Sequence, residues 1–161
     1  MEHHAIRDRL NRMLVGASLI VAPLVIVAQE WITPEPGGER EAGDVLAAIA
    51  EHPGRYEAAM LLGILAAILL IPALAGLALA IRGRGVLLAW LGGMLGVIGA
   101  VGFACQNAIN IGFLELAAAD GERARMVALY EGVQDSTAGL VIELLFIGGL
   151  ILGLALLAAA V

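Results

Sequence analysis

The sequence predicts an all-α fold: a four-transmembrane-helix bundle with short amphipathic helices in two long outer loops. Three observations carry this expectation. Hydrophobic residues make up 61% of the 161-residue chain and charged residues only 15%, whereas soluble domains are about half apolar and a quarter charged. Mean hydropathy is +0.94. The apolar excess is gathered into four long runs, separated by two polar stretches and one short arginine-bearing turn. A chain of this length reads as one membrane domain, 1–161.

Roughly 20 apolar residues span the hydrocarbon core of a bilayer. The runs Ala58 to Ile81, Val86 to Cys105 and Leu140 to Val161 meet this directly. With flanking residues they predict helices over about 56–81, 86–114 and 136–161. The first run, Met13 to Ala28, is shorter. It becomes a span over about 13–32 by taking in Gln29, Glu30, Trp31 and Ile32, with Trp31 as an interfacial anchor. Arg7, Arg9 and Arg12 ahead of this run also resemble the start of a signal peptide. The residues around Ala28 make a poor small-x-small cleavage site, so a retained helix is expected. Pro23 and Pro72 fall inside runs, where membrane helices tolerate proline.

Charge sets the expected orientation. The N-terminal segment and the turn between the second and third helices hold Arg7, Arg9, Arg12, Arg82 and Arg84 against two acids, Glu2 and Asp8. The two long loops, about 33–55 and 115–135, and their flanks hold four arginines and twelve acids. Basic residues in short segments favour the cytoplasmic side. Both termini are therefore expected in the cytoplasm, in a multi-pass protein of the plasma (inner) membrane.

Trp31 to Gly43 is rich in Pro, Gly and Glu and reads as irregular chain, after which Asp44 would cap a short helix ending before Pro53. In the second loop Met126, Leu129, Tyr130 and Val133 recur at i, i+3, i+4 and i+7, which predicts an amphipathic helix capped by Asp120. Both would cover the bundle end or lie on the lipid surface.

The third helix carries an informative stripe: Gly92, Gly96, Gly99, Phe103, Gln106 and Asn110, at alternating spacings of four and three. One half is glycine, which permits close helix approach, and the other half is amide. The first helix shows Ser18, Ala22, Val25 and Gln29 at similar spacing. The fourth has Gly149 and Gly153 toward one end and Glu143 toward the other. These stripes suggest helices packed tightly at the cytoplasmic end and splayed outward. The splayed region would be a polar pocket of Gln29, Gln106, Asn110 and Glu143, rimmed by Glu30, His52, Asn107 and Glu115. Ionisable residues inside a membrane usually face the bundle interior or a cavity. The same amides also suit a plainer role as hydrogen bonds between helices.

Several chemistries are not indicated. A net charge of −6 argues against nucleic acid as a partner. Haem needs axial ligands, commonly His, within the helices, and His3, His4 and His52 all lie outside the apolar runs. No His, Cys or carboxylate spacing suggests zinc. Ser136 and Thr137 have no His near them in sequence and read as a cap for the last helix. The lone Cys105 reads as core packing. No catalytic residue, metal or cofactor is expected.

With Trp31, Pro34 and Pro36 in the first loop and Glu51-His52-Pro53-Gly54-Arg55 leading into the second helix, the chain resembles the uncharacterised small four-helix integral membrane proteins of high-GC bacteria. That resemblance implies the four-helix architecture and transfers no activity. The expected function is a non-enzymatic accessory, assembly or interaction bundle in the lipid bilayer, acting as a homo-oligomer or beside a membrane protein partner. The alternative is a binding protein or small transporter for a lipophilic or amphiphilic molecule, using the polar pocket.

Overall fold

The computed structural model describes residues 2–35, 41–118 and 123–161, with side chains from Arg9 onward other than Arg123. Every regular element among them is helical: α1 (Glu2–Ile32), α2 (Ala42–Glu51), α3 (Pro53–Ala80), α4 (Val86–Ala118), α5 (Arg123–Gln134), α6 (Thr137–Glu143), a π turn (Leu144–Gly148) and α7 (Gly149–Ala159). The last three form one rod of 23 residues, Thr137–Ala159. Together with Arg9–Ile32, Pro53–Ala80 and Val86–Ala118 this makes four helices long and apolar enough to cross a membrane. Large apolar side chains such as Ile20, Leu24, Leu87, Leu144 and Ile151 cover their outer surfaces.

Extensive packing joins the long helices in chain order: α1 on α3, α3 on α4, and α4 on the last rod. The two middle helices are accordingly the more buried, and α1 and the last rod flank them. Phe103 helps fill the space between the flanks, stacking on Phe146 with ring centroids 4.7 Å apart, in a cluster with Ala66, Ala67, Val25 and Ile26.

At the end that carries Arg12, Arg82 and Arg84, here the arginine end, the chain turns from α3 to α4 in five residues. Gly83 takes φ +89°, a left-handed conformation that suits glycine. Beyond the turn, glycines set the α4–α7 contact. A Cβ on Gly92 would stand 2.8 Å from the Gly153 carbonyl oxygen, and one on Gly153 would stand 2.7 Å from Gly96 Cα. Backbone meets backbone there, so no side chain can move aside. The expected stripes of Gly92, Gly96 and Gly99 on α4 and of Gly149 and Gly153 on the last rod are these facing surfaces. Ser18, Ala22 and Gln29 of the α1 stripe are buried, and Val25 is half-buried.

The opposite, loop end is not splayed open. Leu46 and Ile49 of α2, Tyr56, Ala59 and Met60 of α3 and Phe113 of α4 form a core there, with Met126, Val127 and Tyr130 of α5 packed against it. The loop helices thus cover the end of the long helices. Two details differ from the sequence reading. α2 starts at Ala42 after Glu41 at the N-cap, which makes no side-chain capping bond, so Asp44 lies in the first turn and is not the cap. α5 packs through Met126, Val127 and Tyr130 and leaves Leu129 and Val133 exposed. Asp120 lies outside the described residues. Ser136 does cap the last rod, its Oγ accepting from Gly139 N–H at 3.0 Å.

Candidate functional site

Two buried polar side chains of the long helices, Gln29 and Asn107, meet near the loop end. Gln29, in the last turns of α1, is 6% exposed, and Asn107 of α4 is 2% exposed. Gln29 Nε2 donates to Asn107 Oδ1 at 2.8 Å. Asn107 Nδ2 donates to the Phe103 carbonyl at 2.8 Å. The space for the Asn107 amide comes from α3. A Cβ on Gly63 would collide with that amide, standing 2.7 Å from Nδ2. One residue from each of three helices therefore builds the node: a glutamine that reaches, an asparagine that receives, and a glycine that makes room.

The orientation of both amides is determined. Exchanging O and N on Gln29 would set two acceptors face to face. Exchanging both amides would turn Asn107 Oδ1 onto the Phe103 carbonyl. The arrangement present leaves Gln29 Oε1 without a donor, the one such buried side-chain atom among the described residues. The Gln29 main-chain carbonyl is used separately, accepting from Thr33 Oγ1 at 2.8 Å.

The structure therefore distributes the expected pocket residues unevenly. Gln29 and Asn107 are joined, and Asn107 is the centre of the node rather than its rim. Gln106 and Asn110 are half-buried and linked to each other along α4, Gln106 Nε2 donating to Asn110 Oδ1 at 3.4 Å. Glu143 is exposed on the last rod, with no hydrogen bond or ion pair among the described residues. Glu30, His52 and Glu115 are exposed near the loop end. Among the described residues no three His, Cys, Asp or Glu side chains gather where a metal could sit. The sequence reading did not single out Gly63, and the only signal for it was a small residue inside a uniformly apolar run.

Chemically the node is a fixed set of amide donors and acceptors. Amides do not titrate at physiological pH, and no nucleophile lies in the network, so it orders helices and can accept one further hydrogen bond. Comparison with known proteins adds no assignment: no family model matches the chain, and no curated protein or solved structure is significantly similar to it.

Proposed function

We propose that the chain is a non-enzymatic interaction subunit of the plasma membrane, with both termini cytoplasmic, which associates through the face of its last helix that carries Glu143. One observation carries this reading. Glu143 is the only acidic residue within the four apolar runs, and it is exposed with no partner among the described residues. It lies six residues into the rod that starts at Thr137, about 9 Å along the helix axis at 1.5 Å per residue. A charged carboxylate facing hydrocarbon is costly, and intramembrane acids are usually paired. A neighbouring subunit that offers a donor at this level removes that cost. The π turn that begins immediately after Glu143 is consistent with this, because π turns recur at functional positions. The five arginines in short segments support the orientation.

A second reading has its own support. Gln29 Oε1 is a buried acceptor without a donor, and a lipophilic or amphiphilic molecule carrying a hydroxyl or amine would satisfy it. Gln106, Asn110 and Glu143 would contribute to such a site in a binding protein or small transporter.

Native mass spectrometry after gentle extraction from the native membrane separates the two. The interaction reading expects an oligomer or a co-purifying membrane protein, with the associated fraction reduced in Glu143→Leu. A strictly monomeric protein that captures nothing on crosslinking in its native membrane would overturn it. A reproducible small-molecule mass, lost in Glu143→Gln, would favour the binding reading.

A further inference from the structure

At the arginine end α1 and α3 approach closely. The contact is at Gly76, where a Cβ would collide with the branched methyls of Val15. One residue further along α1, the Cβ position of Gly16 has no heavy atom within 4 Å. A cleft of about 650 Å³ opens between the helices there. Its polar lining is Asn11 and Arg12 from α1 and Arg82 from just beyond α3, and its apolar lining includes Val15, Gly16 and Leu79.

The two charged residues that line this cleft are both arginine. Arg9, Arg12, Arg82 and Arg84 are all exposed. In sequence the nearest acids are Asp8, four residues before Arg12, and Glu2; none occurs from Arg9 to Gln29 or from Ala58 to Leu114. Arg12 and Arg82 come from different helices but line one mouth, at the start of one candidate span and just past the end of the other. In a membrane that is the depth of the lipid headgroups. A guanidinium fork matches phosphate oxygens in two-point hydrogen bonds. The apolar wall runs from that level toward the bilayer interior, where an acyl chain would lie.

We propose that this cleft is a binding site for an anionic glycerophospholipid. The phosphodiester lies between Arg12 and Arg82, Asn11 hydrogen-bonds the headgroup, and one acyl chain runs over Gly16 and Leu79. A zwitterionic lipid brings an ammonium beside its phosphate, which sets a positive charge against the two arginines, so the site discriminates by net charge. The site stands apart from the Glu143 face and does not depend on how that face is used.

The test is native mass spectrometry of the full chain in detergent, titrated with dioleoyl phosphatidylglycerol and, separately, with dioleoyl phosphatidylcholine. Phosphatidylglycerol is expected to be retained more tightly. Each basic residue near a lipid surface contributes about fivefold in affinity, so Arg12→Gln with Arg82→Gln should weaken phosphatidylglycerol about thirtyfold and abolish the preference. Gly16→Leu keeps both arginines and fills the chain slot, and it should also weaken phosphatidylglycerol, which keeps the proposal testable if the double variant fails to fold. Arg9→Gln with Arg84→Gln removes the same charge from outside the cleft and should have a clearly smaller effect. Equal retention of the two lipids would overturn the proposal. So would equal losses from the two arginine pairs, which would mean a diffuse surface potential. Displacement of the lipid by chainless glycerol phosphate at equal concentration would mean a free-phosphate site and would also overturn it.

Discussion

Gly63→Ala tests the amide node through the smallest change the sequence allows. The added methyl would collide with the Asn107 amide, only 2.7 Å from Nδ2, so Asn107 must turn away from Gln29 and from the Phe103 carbonyl. A side-chain hydrogen bond between membrane helices is worth about 0.6 kcal/mol, so losing the one from Gln29 to Asn107 removes about that much. Overpacking adds about 1–3 kcal/mol. The higher helix propensity of alanine returns up to about 1 kcal/mol. The expected net destabilisation is about 1–4 kcal/mol. The decisive measurement is reversible unfolding in mixed micelles across a double-mutant cycle with Asn107→Ala. Truncating Asn107 empties the space that the methyl needs. In that background Gly63→Ala should therefore be neutral or slightly stabilising. If Gly63→Ala costs the same with and without Asn107, the cavity-and-amide account of this node is refuted.

Three further outcomes follow from the packing. Gly153→Ala sets a methyl against the α4 backbone, 2.7 Å from Gly96 Cα and 2.8 Å from the Gly92 carbonyl oxygen, and should lower the thermal midpoint in detergent by an amount equivalent to about 1–3 kcal/mol, with no rescue by trimming nearby side chains. Ser136→Ala removes the cap on Gly139 N–H, costs about 1 kcal/mol and should speed amide hydrogen exchange in the first turn after Ser136 while leaving α7 unchanged. Phe146→Leu removes the stack on Phe103, and a double-mutant cycle with Phe103→Leu should return a coupling of about 0.5–1.5 kcal/mol; zero coupling would mean the rings only fill space.

The four long helices were legible because hydropathy alone reports them. The faces of three were legible as well, because small residues at spacings of three and four mark where backbones approach, and Gly99, Gly149 and Gly153 do so. Asn107 was misplaced for a geometric reason. The glycine stripe of α4 leads through Phe103 to Gln106 and Asn110, toward the last rod, while Asn107 is a further 100° around the helix from Gln106. Its direction depends on Gly63, and α3 is so evenly apolar that no periodicity marks which side faces α4. The π turn had no sequence signal either, since residues Leu144 to Gly148 are apolar or glycine on every side. In α5 the four-residue pattern marked a face that is only half used, because Val127 packs against the loop-end core where Leu129 and Val133 were expected.

The contrast between the two flanking helices explains why the node is where it is. In lipid the hydrophobic effect does not hold one apolar helix against another, so close packing and hydrogen bonds must do so. The last rod has glycine backbone contacts with α4 at Gly92, Gly96 and Gly99, and these fix its register by steric fit alone. α1 has no such seam among the described residues. It meets α3 at Val15 against Gly76, a side chain on a glycine, and small residues at Ser18 and Ala22 follow it. A contact of that kind tolerates sliding. A hydrogen bond from Gln29 to Asn107, with the acceptor held in turn by the Phe103 carbonyl, does not. The amide node is therefore what fixes α1 along its axis, and Gln29→Leu should loosen α1 selectively while the α4–α7 seam stays intact. Distances between spin labels on α1 and α4 would broaden in that variant, and those between α4 and α7 would not.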